Sequence, residues 1–197
     1  MKKKILGALA IVLVLCVAVG GTLAYLFDTT DVVVNTFTFG NVDIDLSETT
    51  GTNYKMVPGD TMAKDPKVTV SGNSEDSYVF IEVIEANDLD TYVQYAIDTG
   101  VWTKLASETE KEVYYLTGNY TSNVADQDYY ILAGEGDANL KNGKVTVSNA
   151  ITKTQIDALN GKSNEEMPKL SFKAYAIQKD NIADVDAAWT AIEAALA

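Results

Sequence analysis

Tyr78-Val79-Phe80-Ile81-Glu82-Val83-Ile84-Glu85 is apolar on both parities. A half-buried strand alternates, whereas a strand covered on both faces does not. The stretch therefore reads as a central strand with packing on each side. Its upstream flank agrees. Val68-Thr69-Val70 is a short strand and Ser71-Gly72-Asn73-Ser74 a loop. Val57-Pro58-Gly59-Asp60 is a turn, because Pro presets φ at its second position and Gly accepts positive φ at its third.

Further upstream, Asn35-Thr36-Phe37-Thr38-Phe39 places its apolar residues on odd positions. After Gly40-Asn41 the frame changes, and Val42, Ile44 and Leu46 fall on even ones. A glycine at such a shift suggests a bulge or bend. Downstream, strands are expected at 92–97, 101–105, 113–116, 129–132 and 144–148, with turns at Gly134-Glu135-Gly136-Asp137 and Lys141-Asn142-Gly143. Thr152 caps a short helix that Asn160-Gly161 ends. In the long strand Leu170 to Gln178, Leu170, Phe172, Ala174 and Ala176 share one face, with Tyr175 and Ile177 on the other. A last helix starts at Asp184. Its stripe of Val185, Ala188, Trp189, Ile192 and Leu196 reads as the face that covers a sheet, with a partner-binding helix as the alternative. Nine or ten short strands with two short helices give an all-β, jelly-roll-like two-sheet sandwich.

The first 24 residues read differently. Lys2, Lys3 and Lys4 precede an uncharged apolar run from Ile5 to Val19, and Thr22 and Ala24 are the small residues before a cut. That is a signal peptide spanning 1–24, cleaved between Ala24 and Tyr25. The run is short for a membrane span, which needs about 20 apolar residues. The competing reading is a retained anchor. Residues 25–197 then form a single domain.

Composition narrows the function. The net charge is −13, with 28 acidic residues against 15 basic ones, all Lys. Nucleic acid is not an expected partner, since binding it means neutralising phosphates. An anionic membrane surface is disfavoured for the same reason. The single cysteine, Cys16, lies in the apolar run, so a cleaved chain has no thiol and no disulfide. Histidine is absent, which removes Ser-His-Asp and Cys-His nucleophile systems and His-containing zinc sites. No catalytic residue, cofactor or metal is expected. Asp43-Ile44-Asp45, Asp88-Leu89-Asp90, Asp126-Gln127-Asp128 and Asp184-Val185-Asp186 have the oxygen-rich spacing that calcium uses, yet none continues into an EF-hand loop.

Several blocks in order resemble the TasA/camelysin family of exported proteins, whose signal is cut by a dedicated SipW-type signal peptidase. They are Gly20-Gly21-Thr22-Leu23-Ala24-Tyr25-Leu26-Phe27-Asp28-Thr29, Asn35 to Ile44, Pro58-Gly59-Asp60 with Tyr78 to Val83, Phe172 to Gln178, and Ala187-Ala188-Trp189. The resemblance implies a secreted jelly-roll subunit of biofilm-matrix fibres at the cell surface or in the extracellular matrix. Its partners would be further copies of itself and other matrix proteins, and its N-terminal strand completes a neighbour's sheet. Camelysin is described as a metalloprotease; without His or a His-Glu-x-x-His motif, that activity is not carried over.

The residues support assembly in their own right. Val32, Val33, Val34, Phe37 and Phe39 form a β-prone, apolar stretch near a free N-terminus, able to add to an exposed sheet edge. The alternatives are an ordinary first strand in the chain's own sandwich, and a secreted or cell-surface binding module for carbohydrate or a surface partner. For the latter, Tyr92/Tyr95, Tyr114/Tyr115 and Tyr129/Tyr130 would supply contact surface. A secreted hydrolase would need two carboxyls converging in a cleft.

Overall fold

The computed structural model describes residues 41–51, 55–134 and 143–197. They belong to one compact unit, Phe39–Ala197. The signal peptide, its cut at Ala24/Tyr25, and Val32, Val33, Val34, Phe37 and Phe39 lie outside the described residues.

The elements, in order, are β1 (Ile44–Ser47), β2 (Thr61–Lys64), β3 (Lys67–Val70), β4 (Ser77–Ala86), α1 (Leu89–Tyr92), β5 (Val93–Tyr95), β6 (Trp102–Lys104), β7 (Glu112–Leu116), β8 (Gln127–Tyr130), β9 (Gly143–Val147), α2 (Lys153–Leu159), β10 (Lys169–Gln178) and α3 (Val185–Leu196). They make three antiparallel sheets, ordered β10-β4-β7-β6, β1-β3-β8 and β2-β9-β5. The two smaller sheets join edge to edge, just beyond β5 and β8. Ile97 bridges Leu132, the Asp98 N–H donates to the Ile131 carbonyl at 2.9 Å, and the Ala133 N–H donates to the Ala96 carbonyl at 2.9 Å. Together they form one layer opposite the four-stranded sheet. The architecture is an all-β, jelly-roll-like sandwich.

The double-sided pattern of β4 has a direct cause. Val79, Ile81 and Val83 point between the layers, where they pack with Val68, Val70, Trp102, Leu116, Ile131 and Val145. Tyr78 and Phe80 point the other way, into a second cluster with Leu105, Val113, Ala188, Trp189 and Ile192. Helix α3 thus lids the outer face of the four-stranded sheet. Its Asp184 cap accepts the Ala187 N–H at 2.9 Å. Trp189 is 4% exposed, with ring centroids 5.4 Å from Phe80 and 5.5 Å from Tyr175. Leu196, at the end of the stripe, stays exposed.

Local signals explain most turns. The Asp60 N–H donates to the Val57 carbonyl at 3.0 Å, and Gly59 sits at φ +85°. That combination is the Pro-Gly turn expected there. Thr152 makes a reciprocal cap with Gln155. Two elements depart from the sequence pattern. Tyr92 closes the single-turn helix α1 rather than opening a strand, because left-handed backbone at Asn87 and Asp88 turns the chain before Leu89. β2 follows the Pro-Gly turn as a short polar strand, Thr-Met-Ala-Lys, too brief to present a period.

Candidate functional site

β10 is the terminal strand of the four-stranded sheet, and it is ten residues long. Its inner side pairs with β4 along its whole length, from Lys169 opposite Ala86 to Gln178 opposite Ser77. Among the described residues no strand pairs with its outer side. An edge strand presents a row of free N–H and C=O groups, and a long one is a template for another strand. β6 and β2, at other sheet ends, are three and four residues long.

The side chains on β10 report the same opening. Leu170, Phe172, Ala174 and Ala176 face the core yet are only partly buried. The facing β4 residues Val79 and Ile81 are 1% and 0% exposed. The difference follows from position: β4 has strands on both sides and β10 has one. Across the sandwich β1 packs against β10 and is itself the end of its sheet. Its Ile44 is half-buried and its Leu46 is exposed. The flank where β1 meets β10 is therefore bounded by two strand edges and carries partly buried apolar side chains from both. On the outer face Lys169, Ser171 and Lys173 are exposed, while Tyr175 and Ile177 pack toward α3.

The chain enters this flank at a defined end. The Glu75 N–H donates to the Asn41 carbonyl at 2.9 Å, and the Lys179 N–H donates to the Asp76 carbonyl at 2.7 Å. Asn41 therefore sits at the end of the sandwich where β10 finishes. The far end of β1 is pinned by Asp65. Its carboxylate accepts the N–H groups of Thr49 and Thr50, each at 2.9 Å, and the Thr49 hydroxyl. Partial burial pushes the Asp65 carboxyl up, but these hydrogen bonds outweigh it and hold the group at about 2. Lys64 pairs with Glu48 at 2.6 Å beside it.

Members of three of the four acidic pairs are held by other groups of the fold. Asp43 accepts the Ser71 hydroxyl at 3.0 Å, Asp126 accepts the Gly72 N–H at 2.8 Å, and Asp128 binds Lys67 and the Thr69 hydroxyl, each at 2.7 Å. Asp186 accepts the Ser107 hydroxyl at 2.6 Å. Tyr114 and Tyr115 split as adjacent strand residues must. Tyr92 is buried in the core, while Tyr95 and Tyr114 line a cleft and Tyr115 packs toward α3. The edge character of β10 was not read from the sequence. Its signal is present in the alternation of Lys169, Ser171 and Lys173 with small or apolar residues.

Fold and site together define a β-sandwich with a helix on one face and, among the described residues, a long strand edge without a partner. A profile of the Camelysin metallo-endopeptidase family matches residues 1–144, and the chain belongs to that family. No curated protein and no solved structure matches the chain. The family description implies a metal, and the described residues do not fit one. The sequence has no histidine. Among the described residues no three acidic, cysteine or histidine side chains gather closely enough to hold a metal ion.

Proposed function

We propose that this protein is a secreted structural subunit, not an enzyme, that builds extracellular fibres by adding its N-terminal segment to a neighbour's sheet. The observation that carries the reading is β10, whose outer edge has no partner strand among the described residues and whose inward face is only partly covered. A strand laid beside it would gain main-chain hydrogen bonds and bury Leu170, Phe172, Ala174 and Ala176. The segment with Val32, Val33, Val34, Phe37 and Phe39 has the composition for that place and joins the domain at Asn41.

Strand polarity favours exchange between copies. Asn41 lies at the C-terminal end of β10. A chain folding its own segment back along its own β10 would have to run parallel to it. Every strand pair described here is antiparallel. A copy stacked end to end presents the same segment antiparallel, which extends the existing ladder pattern. The strong negative charge favours solubility before assembly. A dedicated signal peptidase and other matrix proteins complete the proposed partners.

Cysteine trapping tests the exchange. Val33→Cys and Ala174→Cys are placed in separate chains carrying Cys16→Ser, then mixed and oxidised. Cross-linked pairs between the two chains are expected. If the two substitutions in one chain cross-link only within that chain, the segment completes its own sheet and the proposal fails.

A further inference from the structure

At the opposite flank, the inner surface of the sandwich turns polar. Glu112 lies opposite Val83 and Tyr114 opposite Ile81, so both share the face of β7 that elsewhere packs on the core. With Glu85, Asp90, Gln94, Tyr95, Val93 and Ile97 they border a cleft of about 440 Å³ between β5 and the four-stranded sheet. That volume falls in the range of small-ligand sites, about 300–1,000 Å³.

The cleft contains the same arrangement twice. The Tyr114 hydroxyl donates to Glu112 Oε1 at 2.8 Å, and the Tyr95 hydroxyl donates to Glu85 Oε1 at 2.7 Å. In each, the phenol spends its proton on the carboxylate, which keeps its remaining lone pairs to accept from something else. The first pair already holds an ammonium. Lys104 Nζ lies 3.2 Å from Glu112 Oε1 and 5.7 Å over the Tyr114 ring. Carboxylate and aromatic face act on it together. Among the described residues Glu85 has no ammonium partner. Burial and the neighbouring glutamates push both phenols up, so they remain protonated donors.

We propose that the Glu85–Tyr95 pair binds the protonated amine of an amino-sugar unit. The lining selects this chemistry. It offers acceptors and negative charge, so the ligand must bring donors and positive charge. Val93 and Ile97 are buried beneath the cleft, and the half-buried Tyr95 ring offers the apolar surface, which suits the C–H face of a sugar ring and not a bare ion. The described residues hold no cluster fit for a metal, so these carboxylates act as hydrogen-bond acceptors.

The test is calorimetric titration of the full chain with glucosamine tetramer, cellotetraose and spermine. Glucosamine tetramer is expected to bind at least tenfold more tightly than either of the others. Glu85→Gln should weaken it tenfold or more, and Tyr95→Phe severalfold, with unchanged melting midpoints. Should Glu85→Gln lower the melting midpoint, Tyr95→Phe alone carries the comparison. No binding, equal binding of cellotetraose or spermine, or undiminished affinity in the stably folded variants would overturn the proposal.

Discussion

Removing the Trp189 side chain separates a packing role for the last helix from a binding role. Trp189 is 4% exposed, touches Phe80 and Tyr175, and its Nε1–H donates to Glu108 at 3.0 Å. Truncating a buried Trp to Ala costs about 3–5 kcal/mol. The two aromatic contacts, at about 0.5–1.5 kcal/mol each, fall within that figure. Lys111–Glu193 and Ser107–Asp186 still tether α3, but both are exposed and add little. A loss near 4 kcal/mol is therefore expected for Trp189→Ala. With a urea m-value of about 2 kcal/mol/M, the unfolding midpoint drops by about 2 M. Trp189→Phe keeps most ring contact and should lose less than half as much. Urea unfolding followed by far-ultraviolet circular dichroism measures both. An unchanged midpoint in Trp189→Ala would refute the assignment of α3 as a structural cover.

Further expectations follow from close contacts and from charge. A Cβ on Gly143 would collide with the Leu132 Cβ and lie 2.8 Å from its carbonyl oxygen, where the two smaller sheets join. Gly143→Ala should cost about 1–3 kcal/mol, and a neutral result in a melting experiment contradicts that reading. Ser77 Oγ is fully buried with no hydrogen-bond partner among the described residues. Ser77→Ala should leave stability unchanged or raise it by up to about 1 kcal/mol, so a clear loss would point to a missed partner. The indole of Trp189 and the N–H groups of Glu110 and Lys111 hold the Glu108 carboxyl at about 2, as the Thr49 and Thr50 bonds hold Asp65. Depressed carboxyls stabilise the fold above their unfolded values of 4.5 and 3.8, and that contribution disappears as pH falls toward 2. The urea midpoint should fall across this window, and Asp65→Asn should make the fall shallower; an identical slope in the variant would exclude Asp65 as a contributor.

Much of this architecture was legible in the chain because burial writes itself as parity. β4 is apolar on both faces since it lies between the opposite layer and α3. β10 alternates as expected, with Leu170 to Ala176 inward and Tyr175 and Ile177 toward α3. The Pro58-Gly59 turn and the Asp184 and Thr152 caps are local chemistry and needed no tertiary information. Leu46 shares its frame with Ile44, yet it is exposed, and among the described residues β1 is the end of its sheet. β2 and α1 are too short for any period to emerge. The open edge of β10 and the Glu85–Tyr95 cleft depend on which strands become neighbours. Tyr95 is ten positions from Glu85 and Tyr114 is nineteen from Tyr95, and only the packing of β5 against the β4–β7 face gathers them.

The central claim is assembly through the N-terminal segment, and fibre formation by the intact chain against a truncated one tests it most directly. Protein lacking the residues before Val34, and protein carrying Val33→Pro, are compared with the chain beginning at Tyr25 by sedimentation and electron microscopy over time. The account predicts fibres from the intact form, and folded monomers from the truncated and proline forms, since proline removes a main-chain donor from the added strand. Fibres that form as readily from the truncated protein would contradict it.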